Sequence, residues 1–285
     1  MGLTTSIRQV RYWVKRDWAL SRFAAEEDPT IRAIAIALQR TLAGEANPLE
    51  RVWIERLELH RRELESSNEK ITRLDHGAGS PAEHRSPAEM AAGVLVEDSL
   101  GRICRLASKG PSWCTLLFRL VRGLRPDACI ELGSCVGVSA SYLAAALHLN
   151  GKGSLITLEG AESLADKARE TLYRHGLTNA EVVTGRFQET FGPSLSRLAP
   201  VDFLFIDGHH EEQATLTYFD QARSFTSDRS LFVFDDIQWS DGMGRAWAAI
   251  STDPSVDLAI DFGAMGLCLV NRRGGRHRLA KIPLN

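Results

Sequence analysis

Asp127 to Ser141 reads D-A-C-I-E-L-G-S-C-V-G-V-S-A-S, and the fold follows from this stretch. A short apolar run, Ala128 to Leu132, carries Glu131 and breaks at Gly133. Gly137 comes four residues later, and a helix-like run then extends to about His148. A strand, a glycine turn and a helix N-terminus in this order can hold an adenosine cofactor. Glycine lets the backbone approach a ligand where a Cβ would collide with it. The spacing is G-x-x-x-G and not the G-x-G-x-x-G of a dinucleotide fingerprint. Taken alone, the stretch also fits a tight turn in any α/β protein, so the remaining chain has to decide.

A chain of 285 residues can make one large domain or a domain with an extension. It is 44% hydrophobic and 25% charged, an ordinary globular composition. A net charge of -2 argues against nucleic acid as the main partner. No apolar run approaches the roughly 20 residues of a membrane span. Met1 to Phe23 is interrupted by Arg8, Arg11, Lys15, Arg16 and Arg22 and lacks the apolar core of a signal peptide. The five cysteines, Cys104, Cys114, Cys129, Cys135 and Cys268, form no C-x-x-C pair. Free thiols of this kind suit a reducing cytoplasm.

Three helical segments come first. Ile7, Val10, Val14 and Trp18 lie near one face of a basic helix, expected to pack on the body of the protein and not on a membrane. Asp28-Pro29 is an N-cap followed by proline at the first helical position, ahead of the stripe Ile31, Ile34, Ala35, Leu38 and Leu42. Asn47-Pro48-Leu49-Glu50 repeats the start signal, and Trp53, Leu57, His60 and Leu64 stripe the third helix. Asp75 to Pro87 is rich in Gly, Ser and Pro and reads as a loop, either a plain linker or a lid over a substrate. We therefore divide the chain into a helical extension with its loop, 1–90, and a main domain, 91–285.

Two helices, at about 94–107 and 112–124, lead into alternating strands and helices. The strands are expected at 128–132, 154–158, 181–184, 202–206, 230–235, 256–261 and 266–271. Only Gly263 to Met265 separates the last two, so they form a hairpin and one runs antiparallel. The expected fold is α/β: a doubly wound, seven-stranded, mostly parallel sheet with an N-terminal helical extension.

The chemistry gathers at strand ends. The second strand ends at Glu159, which can accept both hydroxyls of a ribose or simply sit on the surface. After the third strand, Phe187 and Gln188 can frame an adenine ring or merely pack the loop. The fourth delivers Asp207-Gly208-His209-His210 and the fifth Asp235-Asp236. Neighbouring parallel strands expose these residues on one edge, where doubly wound sheets bind ligands. Three carboxylates together are costly unless they are paired, protonated or bound to a cation. A hard cation such as Mg²⁺ would use their oxygens; the other reading has one Asp capping the next helix and another bonding loop amides.

At these residues the chain resembles the class I S-adenosylmethionine-dependent methyltransferases, on the side of the catechol and caffeoyl-CoA O-methyltransferases. E-L-G-S-C-V-G-V-S-A resembles the first motif of that family, L-I-T-L-E its ribose-acid strand and G-R-F-Q-E its adenine segment. F-L-F-I-D-G-H-H and F-V-F-D-D-I resemble its fourth and fifth strands, and the likeness covers roughly 100–271. It implies a cofactor site of Glu131, Gly133, Ser134, Gly137, Ser139, Glu159, Gly160, Phe187, Gln188 and Asp207. It also implies divalent-metal ligands at Asp207, Asp235 and Asp236. The stretch D-D-I-Q-W-S-D-G-M-G-R-A-W is similar to bacterial methyltransferases of unassigned substrate. One departure stands out: the catechol enzymes place a lysine base where this chain has His210.

The function expected is O-methylation of a small-molecule or natural-product acceptor. His210, or His209 beside it, would take the acceptor proton next to Asp207. Trp113, Trp239 and Met243 would line an aromatic acceptor pocket, or belong to the core. One rival is carboxyl methylation of a peptide docked on the N-terminal helices, which needs no base; those helices could equally serve a homodimer. A nicotinamide oxidoreductase is disfavoured by the missing fingerprint and the final hairpin. A non-catalytic cofactor-binding protein is disfavoured by the intact acids and histidines.

Overall fold

The computed structural model describes residues 20–77, 79, 85–272, 274 and 277–282. The amphipathic segment Ile7 to Trp18 lies outside them, as does much of the loop after Gly77. The chain order is α1 (Pro29–Leu42), α2 (Pro48–Ser66), β1 (Lys70–Asp75), α3 (Pro87–Ala92), β2 (Val94–Ser99), α4 (Leu100–Ala107) and α5 (Pro111–Leu124). Then come β3 (Ala128–Leu132), α6 (Val138–Asn150), β4 (Ser154–Glu159), α7 (Glu162–Arg174), β5 (Ala180–Thr184) and α8 (Phe187–Leu198). The last part holds β6 (Val201–Ile206), α9 (Glu212–Arg223), β7 (Thr226–Phe234), α10 (Asp241–Ser251), β8 (Val256–Asp261), β9 (Gly266–Val270) and β10 (Arg278–Lys281).

The helix starts read from sequence form as their chemistry requires. Asp28 accepts the amides of Thr30 at 2.9 Å and Ile31 at 3.2 Å, with Pro29 in the first turn of α1. Asn47 and Glu50 make a reciprocal capping box at the start of α2. The stripes Ile31, Ile34, Leu38 and Leu57 are buried in the same core as Phe118, Leu120 and Tyr142 of α5 and α6.

The main sheet runs β10-β8-β9-β7-β6-β3-β4-β5, and within it only β9 is antiparallel to its neighbours. Side chains alternate between its faces, as strand geometry dictates. Cys129, Phe203, Phe205, Leu231 and Val233 join one core with α1, α2 and α4 to α7. Ile130, Leu132, Leu204, Ile206, Phe232 and Phe234 join the other with α8 to α10. The same alternation puts Glu131, Asp207 and Asp235 on the α5–α6 side.

Three expectations need correction. Among the described residues the sheet has eight strands and not seven, because Arg278–Lys281 adds a parallel edge strand on β8. That strand is short and partly exposed, so it carries no apolar run to announce it. Residues 94–107 are not one helix: Val94–Ser99 is a strand, and Ser99 then caps α4 through the amide of Arg102 at 3.2 Å. The strand pairs antiparallel with β1, a segment for which the sequence predicts no element. The β1–β2 pair crosses residue 90, so the extension and the main domain are stitched together by backbone hydrogen bonds.

Candidate active site

The strand order reverses between β3 and β6, and the loops after these strands diverge there, the position at which open α/β sheets bind ligands. Backbone strain concentrates at this edge. Of the five described non-glycine residues with positive φ, four lie here: Cys135, His209, His210 and Asp236. Such conformations cost free energy and mark sites that the surrounding fold over-determines.

The glycine turn is built by packing as well as by ligand access. Gly133 has φ 98°, and a Cβ there would lie 1.9 Å from the carbonyl oxygen of Asp207. Gly137 has φ 84°, and its Cβ would lie 2.9 Å from Cα of Ala168 in α7. Both glycines therefore let one element press on another, a packing role in addition to the ligand approach expected from the sequence. Gly160 is different, since the space at its Cβ position is open.

Glu131 is fully buried between Thr157 of β4 and Phe205 of β6. Burial pushes its carboxyl up to about 7, opposed by the hydroxyls of Ser139 and Thr157. The Ser134 hydroxyl lies 2.5 Å from that of Thr157, so it is spent inside this network. Glu159 accepts the amides of Cys135 at 2.8 Å and Ala161 at 3.0 Å. Desolvation pushes it also to about 7, opposed by these amides and reinforced by the nearby charge of Asp75. Neither acid is ion-paired to Lys or Arg among the described residues. Two poorly solvated carboxyls without a cation fit a ligand that brings positive charge, as S-adenosylmethionine does in its ammonium and sulfonium groups. Phe187 packs beside Gly208, where an added Cβ would meet its ring at 2.7 Å, while Gln188 is exposed in the first turn of α8. The N-terminus of α6, starting at Val138 behind Gly137, carries no side-chain cap.

The second cluster holds Asp207, Asp235, Asp236, His209 and His210. Burial and the neighbouring Asp235, within hydrogen-bonding reach, push Asp207 well above the usual carboxylate range. Asp236 is raised by burial and by Asp235. His210 Nε2 lies 3.8 Å from both Asp207 Oδ1 and Asp236 Oδ2. Its ring is 5.7 Å from that of Trp239, and burial lowers its pKa. His209 turns away and places Nδ1 2.9 Å from the hydroxyl of Tyr218 on α9.

Of the expected acceptor-lining residues, only Trp239 stands beside His210. Trp113 packs against Phe262, ring centroids 6.3 Å apart. Met243 is buried in the α9–α10 contact, where its sulfur accepts from Thr215 at 3.4 Å. Core packing therefore accounts for both. A surface cavity of about 260 Å³ lies apart from this chemistry, lined by His60, Glu63, Lys167 and Arg174 of α2 and α7.

The residue missed in the sequence is Lys109, in the α4–α5 turn. Its ammonium contacts the Asp235 carboxylate and lies 3.7 Å from Asp236 Oδ1. Asp207 is the strongest of the acids holding it charged. A divalent ion does not fit these side chains as they stand. Lys109 takes up an oxygen of Asp235, Asp207 and Asp235 face each other, and no group of three or more His, Cys, Asp or Glu is set to hold a metal among the described residues. The only signal was a lysine ahead of the Gly110-Pro111 helix start, which any surface turn could carry.

Residues 130–237 match the family model described as a methyltransferase domain. Two solved structures share the fold. The O-methyltransferase of Bacillus cereus, in complex with SAH, is 23% identical, with a TM-score of 0.51 over 58% of this chain and 83% of its own. The O-methyltransferase TomG of Streptomyces achromogenes, involved in tomaymycin synthesis and in complex with SAM, is 23% identical, with a TM-score of 0.51 over 58% and 82%. No curated protein matches the sequence. The matched segment and the shared sheet give this chain a methyltransferase-like domain over residues 130–237, with the fold of those two structures. No described helix is long and apolar enough to cross a membrane.

Proposed function

We propose that this protein is a cytoplasmic O-methyltransferase acting on a hydroxyl of a small-molecule acceptor, a natural product among the candidates. The observation that carries the reading is the placement of the His210 imidazole, its Nε2 3.8 Å from Asp207 and Asp236 and its ring flanked by Trp239. S-adenosylmethionine, when bound, supplies a methyl group on a sulfonium centre. Glu131 and Glu159 would hold it through its cationic and ribose groups, with Phe187 against the adenine. His210 Nε2 takes the acceptor proton, and the two acids stabilise the imidazolium so formed. His209, tied to Tyr218, fixes the loop that carries His210. The chain otherwise orients the reactants and excludes water.

The same reading gives residues 1–90 control of acceptor access and 91–285 the cofactor site. Its support is that β1 ends over the site. The carboxylate of Asp75, the last residue of β1, raises Glu159.

The test uses methyl-labelled S-adenosylmethionine with a panel of phenols, alcohols and carboxylic acids. Label transferred to hydroxyl acceptors and lost in His210→Gln supports the reading. Transfer only to carboxylates, untouched by His210→Gln, overturns it in favour of a base-free carboxyl methyltransferase. A wild-type protein that binds no S-adenosylhomocysteine overturns the cofactor assignment.

A further inference from the structure

We propose that Lys109 is the resident cation of the carboxylate cluster, standing where a divalent metal would otherwise sit and presenting its ammonium to the acceptor oxygen. This rests on the acceptor lying above Asp207 and Asp235, as in the function proposed above.

Three carboxyls and one lysine meet at one point of the sheet edge. Asp235 is almost entirely buried, with a side-chain exposure of 1%, while Lys109 keeps 17% and Asp236 25%. Asp235 is thus anchored in the protein, while the Lys109 side chain keeps a solvent-accessible part. A buried carboxylate cluster of this kind needs a counter-charge. An ammonium supplies a single positive charge and three donors, enough for two carboxylates and one acceptor oxygen.

The lysine is held from behind. The Cys114 thiol donates to the Lys109 carbonyl at 3.5 Å, and Arg61 of α2 donates to Cys114 Sγ at 3.3 Å. Arg61 is itself paired with Glu58 at 3.1 Å. The turn at 109–110 is therefore clamped between α2 and α5, and this lysine is not a surface side chain fallen onto the nearest acid. A divalent ion entering between Asp207, Asp235 and Asp236 would have to displace it.

The experiment is a Mn²⁺ titration followed by electron paramagnetic resonance, on wild type, Lys109→Ala and Lys109→Gln, each checked for S-adenosylhomocysteine binding by calorimetry. The wild type is expected to leave Mn²⁺ free. The two variants, with the acids released, are expected to take up one Mn²⁺ per chain, and adding Asp235→Asn to either should abolish that uptake. Stoichiometric Mn²⁺ binding by the wild type overturns the proposal. So does a variant that folds yet binds no Mn²⁺. The wild-type arm does not depend on how the variants fold. A failed S-adenosylhomocysteine titration with these metal results intact would instead fault the methyltransferase reading. With a turned-over acceptor, Lys109→Arg should retain more rate than Lys109→Gln, and EDTA should leave the wild-type rate unchanged.

Discussion

Glu159 Oε2 accepts the backbone N–H of Cys135 at 2.8 Å, so the end of β4 holds the glycine turn that follows β3. The other oxygen caps the amide of Ala161 at 3.0 Å. A carboxylate has about four lone-pair sites, so acceptor capacity remains for a ribose while the turn stays tied. Glu159→Gln should weaken S-adenosylhomocysteine binding by roughly 10- to 100-fold, the loss expected for a charge-assisted hydrogen bond of about 1.5–3 kcal/mol. Calorimetry reads this, and unchanged affinity would remove Glu159 from the cofactor site.

Glu131 should make the ligand-free protein pH-sensitive. Its folded-state pKa rises from 4.5 to about 7, so the folded state holds the proton more tightly than the unfolded chain. The stabilisation is fully present below pH 4.5 and is lost as pH rises through about 7. The loss is on the order of 3 kcal/mol at most. Glu131→Gln should therefore melt higher than wild type above pH 7 and lose this slope. Melting curves from pH 5 to 8.5 without ligand check it; identical slopes would show that Glu131 does not titrate there.

Two glycines of the site should respond in opposite ways. Gly133→Ala forces a Cβ to 1.9 Å from the Asp207 carbonyl oxygen at φ 98°, so the turn cannot persist. The cost should be on the order of 3 kcal/mol or more. Gly160→Ala meets nothing within 4 Å and should leave the melting temperature nearly unchanged. If the cofactor passes close to this backbone, Gly160→Ala will bind S-adenosylhomocysteine more weakly while staying fully folded.

The fold is legible in the sequence where apolar burial and local chemistry agree. Ala128–Leu132 and Val201–Ile206 are strands because both faces are covered, and continuous apolar runs report that directly. The caps at Asp28 and Asn47 are local hydrogen-bond chemistry, readable from a few adjacent residues. Lys70–Asp75 and Arg278–Lys281 escaped because edge strands with one exposed face need few apolar residues. Within the site, the acids and histidines were legible from strand ends. The partnership of Lys109 with Asp235 was not, since it spans more than a hundred residues and depends on how α5 packs against the sheet.

The N-terminal helices are expected to be inseparable from the main domain. Leu57 is 3% exposed and sits in one core with Phe118 and Tyr142. Leu57→Ala should cost about 2–5 kcal/mol. Removing residues 1–70 would also uncover the face that α1 and α2 protect, so the truncated chain should not fold. A truncated protein that is monodisperse and melts cooperatively would show instead that the extension is dispensable for stability.

The histidine pair should divide into a base and a support. His210 has its Nε2 at 3.8 Å from two acids and its ring beside Trp239, open to an acceptor at 21% side-chain exposure. His209 spends Nδ1 on Tyr218 at 2.9 Å. Both adopt positive φ, so the loop geometry itself is costly and depends on such ties. A hydroxyl near pKa 10 is largely protonated at neutral pH, so a positioned base matters for it. His210→Gln should lower the rate by about 10²–10⁴ at saturating acceptor. Burial lowers the His210 pKa, so the imidazole is already neutral at pH 7, and the acidic limb of the wild-type profile should lie below the usual histidine range. That limb should vanish in the variant. His209→Gln and Tyr218→Phe should act more weakly, through the loop, with the acidic limb retained. If His209→Gln erases the limb and His210→Gln does not, the two roles are reversed and the hydroxyl of Tyr218 becomes part of the proton path.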